Sequence, residues 1–176
     1  PLTADKALAA AWCLSRRIHH LSPEQNVGLL LPTSTGGVLC NMATLLAGKT
    51  IVNLNYTANE AALNTAIEQA DIRTIYTSRR FVERLEKKNG DVITVLQGKH
   101  IVYLEDLRSE IHFNESFWRW LAIRVLPTRI LKRVCNHTHD SQQTAAILFS
   151  SGSEGLPKGV MLSHQNIMAN LKQISD

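Results

Sequence analysis

The sequence predicts an α/β fold in which βαβ units build a largely parallel sheet. Apolar runs of strand length alternate with helical stretches from about residue 5 onward, which is the pattern of an α/β fold. The strand runs are nearly uniformly apolar, as in strands covered by helices on both faces. A polar turn, Gly48 and Gly90 close successive helical stretches. With 44% hydrophobic and 19% charged residues among 176, the chain has material for a core and is neither disordered nor of low complexity.

In chain order, residues 5–21 place Leu8, Ala11, Trp12 and Ser15 on one helical face, and a turn containing Pro23 ends that helix. Val27 to Leu31 is the first strand, a helix from about Thr35 to Ala47 stops at Gly48, and Thr50 to Leu54 completes a βαβ unit. Thr57-Ala58-Asn59-Glu60 reads as a capping box, with Thr57 as N-cap, ahead of a buried stripe of Leu63, Ala66, Ile67 and Ala70. Arg73 to Thr77 is a third strand, Arg79 to Lys88 a helix stopped near Gly90, and Ile101 to Leu104 a further strand.

Residues 116–139 hold no acidic side chain but carry Arg119, Arg124, Arg129, Lys132 and Arg133. Without those five, 14 basic residues face 15 acidic ones, so the formal charge of +4 resides here. Phe117, Trp118, Trp120, Leu121 and Ile123 precede Pro127, and beyond it Ile130, Leu131 and Val134 oppose the basic residues at helical spacing. Two readings stand for this basic amphipathic segment, 117–134: a helix lying in a membrane interface, too short and charged to span one, or a helix packed on the sheet with solvated arginines. No nucleic-acid reader motif accompanies the basic patch. Cys13, Cys40 and Cys135 are too scattered for a disulfide framework, and Cys135 with His137 and His139 lacks the second ligand cluster of a structural zinc site, so no metal is expected.

From Ile147 an apolar strand opens into Ser150-Ser151-Gly152-Ser153-Glu154-Gly155 and closes on Pro157-Lys158-Gly159. Glycines let backbone N–H groups turn toward an anion, the serine hydroxyls add donors, and Lys158 adds a mobile charge. It is not the Walker motif, because Pro157 precedes the lysine and Gly159 follows it. A Gly/Ser-rich hairpin turn would use the same residues, but the twelve-residue pattern is more specific than such a turn needs.

The stretch Ile147 to Lys158 resembles the AMP-binding signature of the adenylate-forming enzymes, a family of acyl-CoA synthetases, luciferases and peptide-synthetase adenylation domains. Val27-Gly-Leu-Leu-Leu-Pro32 and Leu46-Ala-Gly-Lys-Thr-Ile-Val-Asn-Leu-Asn55 are similar to that family's early strands, although Asn53 and Asn55 stand where prolines are common. The resemblance implies that residues 1–176 are one fragment of the N-terminal part of the large domain, with the phosphate loop at 147–159. It implies ATP as cosubstrate, held by Ser150, Ser151, Gly152, Ser153, Glu154, Gly155 and Lys158, with the Mg ligand and the remaining catalytic groups outside this chain. Asn55-Tyr-Thr-Ala58, Ile75 to Phe81, Val102 to Leu107, and Ser151 to Gly155 with Ser163-His164 and Ile167-Met-Ala-Asn170, look like the acyl-[acyl carrier protein] synthetase branch, which is joined to a 2-acylglycerophosphoethanolamine acyltransferase.

That branch implies a fatty acid and acyl carrier protein as partners. It also implies a membrane surface met by Trp118, Trp120, Arg119, Arg124, Arg129, Lys132 and Arg133, at the cytoplasmic face of the bacterial inner membrane. A fatty acyl-CoA synthetase shares every motif present, and a noncatalytic membrane-surface module is the alternative from another class. No histidine has Asp five positions on, so the acyltransferase site is not expected in this chain. His164, in Ser163-His164-Gln165-Asn166, reads as a capping or positioning residue of the last helix rather than a base. Glu154 stands where a hydroxyl is common and would repel a triphosphate unless Mg²⁺ or a donor shields it. The chain begins at Pro1 with no basic-then-apolar leader after it and reads as a processed fragment, from which no targeting signal can be read.

Overall fold

The computed structural model describes residues 2–88, 94–135, 140–150 and 157–175. Six strands form one sheet: β1 (Asn26–Leu29), β2 (Thr50–Asn53), β3 (Thr74–Thr77), β4 (His100–Tyr103), β5 (Thr144–Phe149) and β6 (Gly159–Ser163). Their order is β4-β3-β1-β2-β5-β6, parallel throughout except for the antiparallel pair β5 and β6. The helices are α1 (Ala4–Leu21), α2 (Thr35–Leu46), α3 (Glu60–Gln69), α4 (Arg79–Lys88), α5 (Leu104–Ser109), α6 (Phe113–Val125), α7 (Thr128–Cys135) and α8 (His164–Ser175).

The uniformly apolar strands are explained by helices on both faces. Successive strand residues point to opposite faces. Val27, Leu29, Ile51, Tyr76 and Val102 pack against α1, α2 and α5, whereas Leu30, Val52, Leu54 and Ile75 pack against α3 and α4. Tyr76 is fully buried; burial pushes its phenol's pKa up, and the hydrogen bond with Ser22 Oγ at 2.9 Å keeps the hydroxyl from being an unpaired polar group. Gly28 on β1 is required by packing, because a Cβ there would lie 2.9 Å from Ile72 Cγ2.

The first four strands sit within one residue of their expected starts, and the βαβ series is observed. Two expectations need correction. The α3 cap is Asn59, whose Oδ1 accepts from Ala62 N at 2.8 Å, while Thr57 turns back to Asn55 Oδ1 and Glu60 accepts from Thr94 Oγ1. Asn59 wins because it stands directly before the first helical residue, where its short side chain reaches the third helical N–H. The segment 117–134 is two helices broken before Pro127, and the first starts at Phe113, so it includes Glu115. Beyond the loop, Gly159 to Ser163 forms a further strand, β6.

Glu115 changes how the basic segment packs. Its carboxylate accepts from both Arg17 on α1 and Arg119 one turn along α6. The Arg119 guanidinium lies over the Trp12 ring at 5.5 Å, and Trp120 Nε1 donates to Asp5 at 2.8 Å. The helix packed on the fold is therefore the observed state of α6, and Arg119 is held inside it rather than solvated.

Candidate functional site

The candidate site stands at the carboxyl end of β5, where sequence and topology coincide. β5 is an interior strand, paired in parallel with β2 and antiparallel with β6. A hairpin therefore begins where a parallel sheet presents its carboxyl edge, the place at which α/β sheets bind ligands. Ser150 N donates to Lys158 O at 3.0 Å and closes the hairpin mouth. Pro157 is buried, and the Lys158 side chain is exposed beside it. Gly159 lies under the Phe149 ring, where a Cβ would come within 3.1 Å of Phe149 Cε1 and 3.3 Å of Ile147 Cγ2. The glycine after the lysine thus lets Phe149 close over the hairpin while Lys158 stays at its mouth.

Ser151, Gly152, Ser153, Glu154 and Gly155 lie outside the described residues, as do His137 and His139. Among the described residues, no group of three His, Cys, Asp or Glu side chains is arranged to hold a metal ion.

A cavity of about 220 Å³ adjoins the hairpin, between the carboxyl ends of β2 and β5, walled by Asn53, Asn55, Asn59, Phe149, Ser150 and Pro157. The asparagines were missed as site residues by motif reading. Asn55 Oδ1 accepts from Thr57 N and Oγ1, and Asn59 Oδ1 caps α3, so each carbonyl is engaged in local structure. Asn53 exchanges hydrogen bonds with Asn41 on α2, which fixes the strand's exit. The signal available was three asparagines within seven residues at the end of an apolar strand, two of them where prolines are common. Among the described residues, the site offers the exposed Lys158 ammonium and the Ser150 hydroxyl to an anion, with the asparagine side chains beneath.

His164 does not cap α8. Ser163 Oγ accepts from Asn166 N at 3.2 Å, and Asn166 Oδ1 accepts from Ser163 N at 2.9 Å, a reciprocal cap around the histidine. His164 instead borders a groove between α2 and α7 that Met42, Leu45 and Leu131 line.

A family model described as AMP-binding enzyme matches residues 3–176. The chain belongs to the AMP-binding enzyme family. Within it, the chain is 27% identical over 165 residues to 4-coumarate–CoA ligase 1 of Arabidopsis thaliana, covering 93% of this chain and 28% of the relative. It is 28% identical over 169 residues to long-chain-fatty-acid–CoA ligase 1 of Schizosaccharomyces pombe, covering 94% and 24%. The chain therefore spans about a quarter of the length of these curated relatives. Among solved structures, ATP-bound MatB from Rhodopseudomonas palustris superposes with a TM-score of 0.68 at 19% identity, over 96% of this chain and 31% of that one. The α/β fold with its mostly parallel sheet is the fold of this family's N-terminal domain.

Of the surface set, Trp118 is 65% exposed, and Arg124, Arg129, Lys132 and Arg133 are also exposed. Arg119 and Trp120 are committed to α1 through Glu115, Trp12 and Asp5. No described helix is long and apolar enough to cross a membrane.

Proposed function

We propose that this chain supplies the triphosphate-binding loop of an ATP-dependent fatty acid:acyl carrier protein ligase. In that reaction a carboxylate oxygen attacks the α-phosphorus, pyrophosphate leaves, and a carrier-protein thiol then attacks the acyl carbon and releases AMP. The observation that carries the reading is the hairpin closed by Ser150 and Lys158 at the carboxyl edge of the sheet. Ser150, Ser151, Gly152, Ser153, Glu154 and Gly155 would present donors to the phosphates, and Lys158 would follow their charge. Mg²⁺ would be held by residues outside this chain. A fatty acid substrate is supported by the name of the fission-yeast relative, and ATP by the nucleotide bound in MatB.

The same reading places the ligase at the cytoplasmic face of a bacterial inner membrane, serving reacylation of 2-acylglycerophosphoethanolamine. Support comes from exposed Phe113, Phe117, Trp118, Val125, Ile130 and Val134 beside Arg129, Lys132 and Arg133. Coenzyme A as acceptor is the second reading, favoured by the two ligase relatives, both CoA ligases.

The test incubates the whole ligase containing this chain with ATP, fatty acid and either purified acyl carrier protein or coenzyme A, with Lys158→Ala as control. Acyl transfer to the carrier protein alone supports the proposal. Transfer to coenzyme A alone selects the second reading, and transfer to neither removes both. Co-sedimentation with phosphatidylglycerol vesicles, lost in Trp118→Ser with Arg129→Gln, tests the membrane part.

A further inference from the structure

A cavity of about 630 Å³ opens outside the carboxyl ends of β1, β3 and β4, on the far side of the sheet's midline from the phosphate hairpin. β1 leads into α2 on one face, and its neighbour β3 leads into α4 on the other. Adjacent strands whose connections part to opposite faces leave a crevice between them, the position at which open α/β sheets hold ligands. β1 and β3 stand two and three strand spacings from β5, about 10 and 14 Å at the usual spacing. The crevice is therefore distinct from the hairpin site. Its volume lies within the ordinary range for small-molecule pockets.

The walls and rim differ in chemistry. Leu14, Leu31, Leu39, Leu104 and Ile111 make the walls apolar, whereas Arg108 lies at the rim with its side chain exposed. Of the charged groups nearby, Glu105 is hydrogen-bonded and Arg79 is ion-paired. Glu105 accepts from Ser78 Oγ at 2.8 Å and from Arg79 N at 3.3 Å, and the Arg79 guanidinium is bound to Asp106 by bonds of 2.6 and 2.8 Å. Arg108 has no ion-pair partner among the described residues. An apolar cleft with one unpaired guanidinium at its mouth complements a molecule with an apolar chain and an anionic end. The Glu105 carboxylate on the same wall favours a singly charged head over a dianion.

We propose that this crevice is a second ligand site, separate from the phosphate hairpin, for an amphipathic carboxylate whose chain lies among Leu14, Leu39 and Leu104 and whose head meets Arg108. Gly36 gives a direct way to close it. A Cβ at Gly36 would lie 3.8 Å from both Leu104 Cδ1 and Ser34 Oγ, ordinary contact distances. A leucine there enters the cavity without a backbone clash.

The experiment is calorimetric titration of the 176-residue protein with decanoate below its micellar concentration, with decanol and decyl phosphate as parallel probes. Thermal unfolding of each variant confirms that it is folded. Decanoate is expected to bind, at least tenfold more weakly in Gly36→Leu and about tenfold more weakly in Arg108→Gln, with decanol affinity unchanged by the arginine substitution. Lys158→Ala is expected to bind decanoate as the parent does, so failure here is distinguishable from failure of the nucleotide reading. No decanoate binding overturns the proposal, as does binding that survives both Gly36→Leu and Arg108→Gln. Decanol or decyl phosphate binding as tightly as decanoate overturns the carboxylate assignment.

Discussion

Arg17 on α1 donates two hydrogen bonds of 3.0 Å each, one to each carboxylate oxygen of Glu115 on α6, a residue 98 positions later in the chain. The same guanidinium donates to Glu110 O at 2.8 Å and so also fastens the turn that leads into α6. This fork is what lays the aromatic helix along α1.

The Arg17 fork, with burial opposing it and Arg119 adding to it, holds the Glu115 carboxyl at about 2, against an ordinary value of 4.5. A carboxyl whose pKa is lower in the fold stabilises fully above its unfolded value and loses that contribution as pH falls through the folded one. Stability is therefore expected to decline between about pH 5 and pH 2. Glu115→Gln should cost about 1–2 kcal/mol near neutral pH, since the pair is only partly shielded from water. Urea midpoints at pH 7 and pH 2.5 check this, and the gap between parent and variant should narrow at the lower pH.

Asn59→Ala removes the cap of α3 and should destabilise by about 1 kcal/mol. Thr57→Ala should cost less than half of that, because its hydroxyl serves only an exposed turn at Asn55. Chemical denaturation of the two variants distinguishes the observed cap from the box read in the sequence.

Adjacent glycines at the start of α2 should respond in opposite directions. A Cβ at Gly37 would stand 2.7 Å from the backbone oxygen of Pro32, so Gly37→Ala forces the β1 exit to move and should cost about 1–3 kcal/mol. Gly36→Ala meets no such contact and should stabilise by up to about 1 kcal/mol through helix propensity and a less flexible unfolded chain. Melting temperatures of the pair decide it.

Lys158→Ala should leave the fold unchanged, because the side chain is exposed, and should lower triphosphate affinity at least tenfold. The readout is the ATP-dependent rise in melting temperature, which follows ligand concentration over Kd. An equal rise in parent and variant would remove Lys158 from the site.

The parallel core was legible because Val27 to Leu31, Thr50 to Leu54 and Arg73 to Thr77 are short apolar runs in alternation with helices, and burial on both faces writes that pattern directly into the chain. The hairpin's position was legible for a related reason: Gly and Ser follow Phe149 where an apolar strand ends. What escaped depends on partners distant in sequence. No periodicity announces that Glu115 meets Arg17, and so the arginines read as solvated. The β6 strand was concealed because Val160 and Met161 are exposed on an edge, where apolar alternation is not enforced. Asn53, Asn55 and Asn59 carry no motif, and only the approach of β5 to β2 makes them neighbours of Ser150.

The place of β5 beside β2 also orders events in time. Val27 meets Ile51, and Thr74 meets His100, after short excursions of the chain, whereas Ile51 meets Ala146 only across 95 residues. Two doublings of loop length add about 1.2 kcal/mol of closure entropy. During synthesis on the ribosome, β1 to β4 can associate before Ala146 has been translated. The crevice at Arg108 thus takes shape early, and the hairpin with Lys158 is the last edge of the sheet to be acquired.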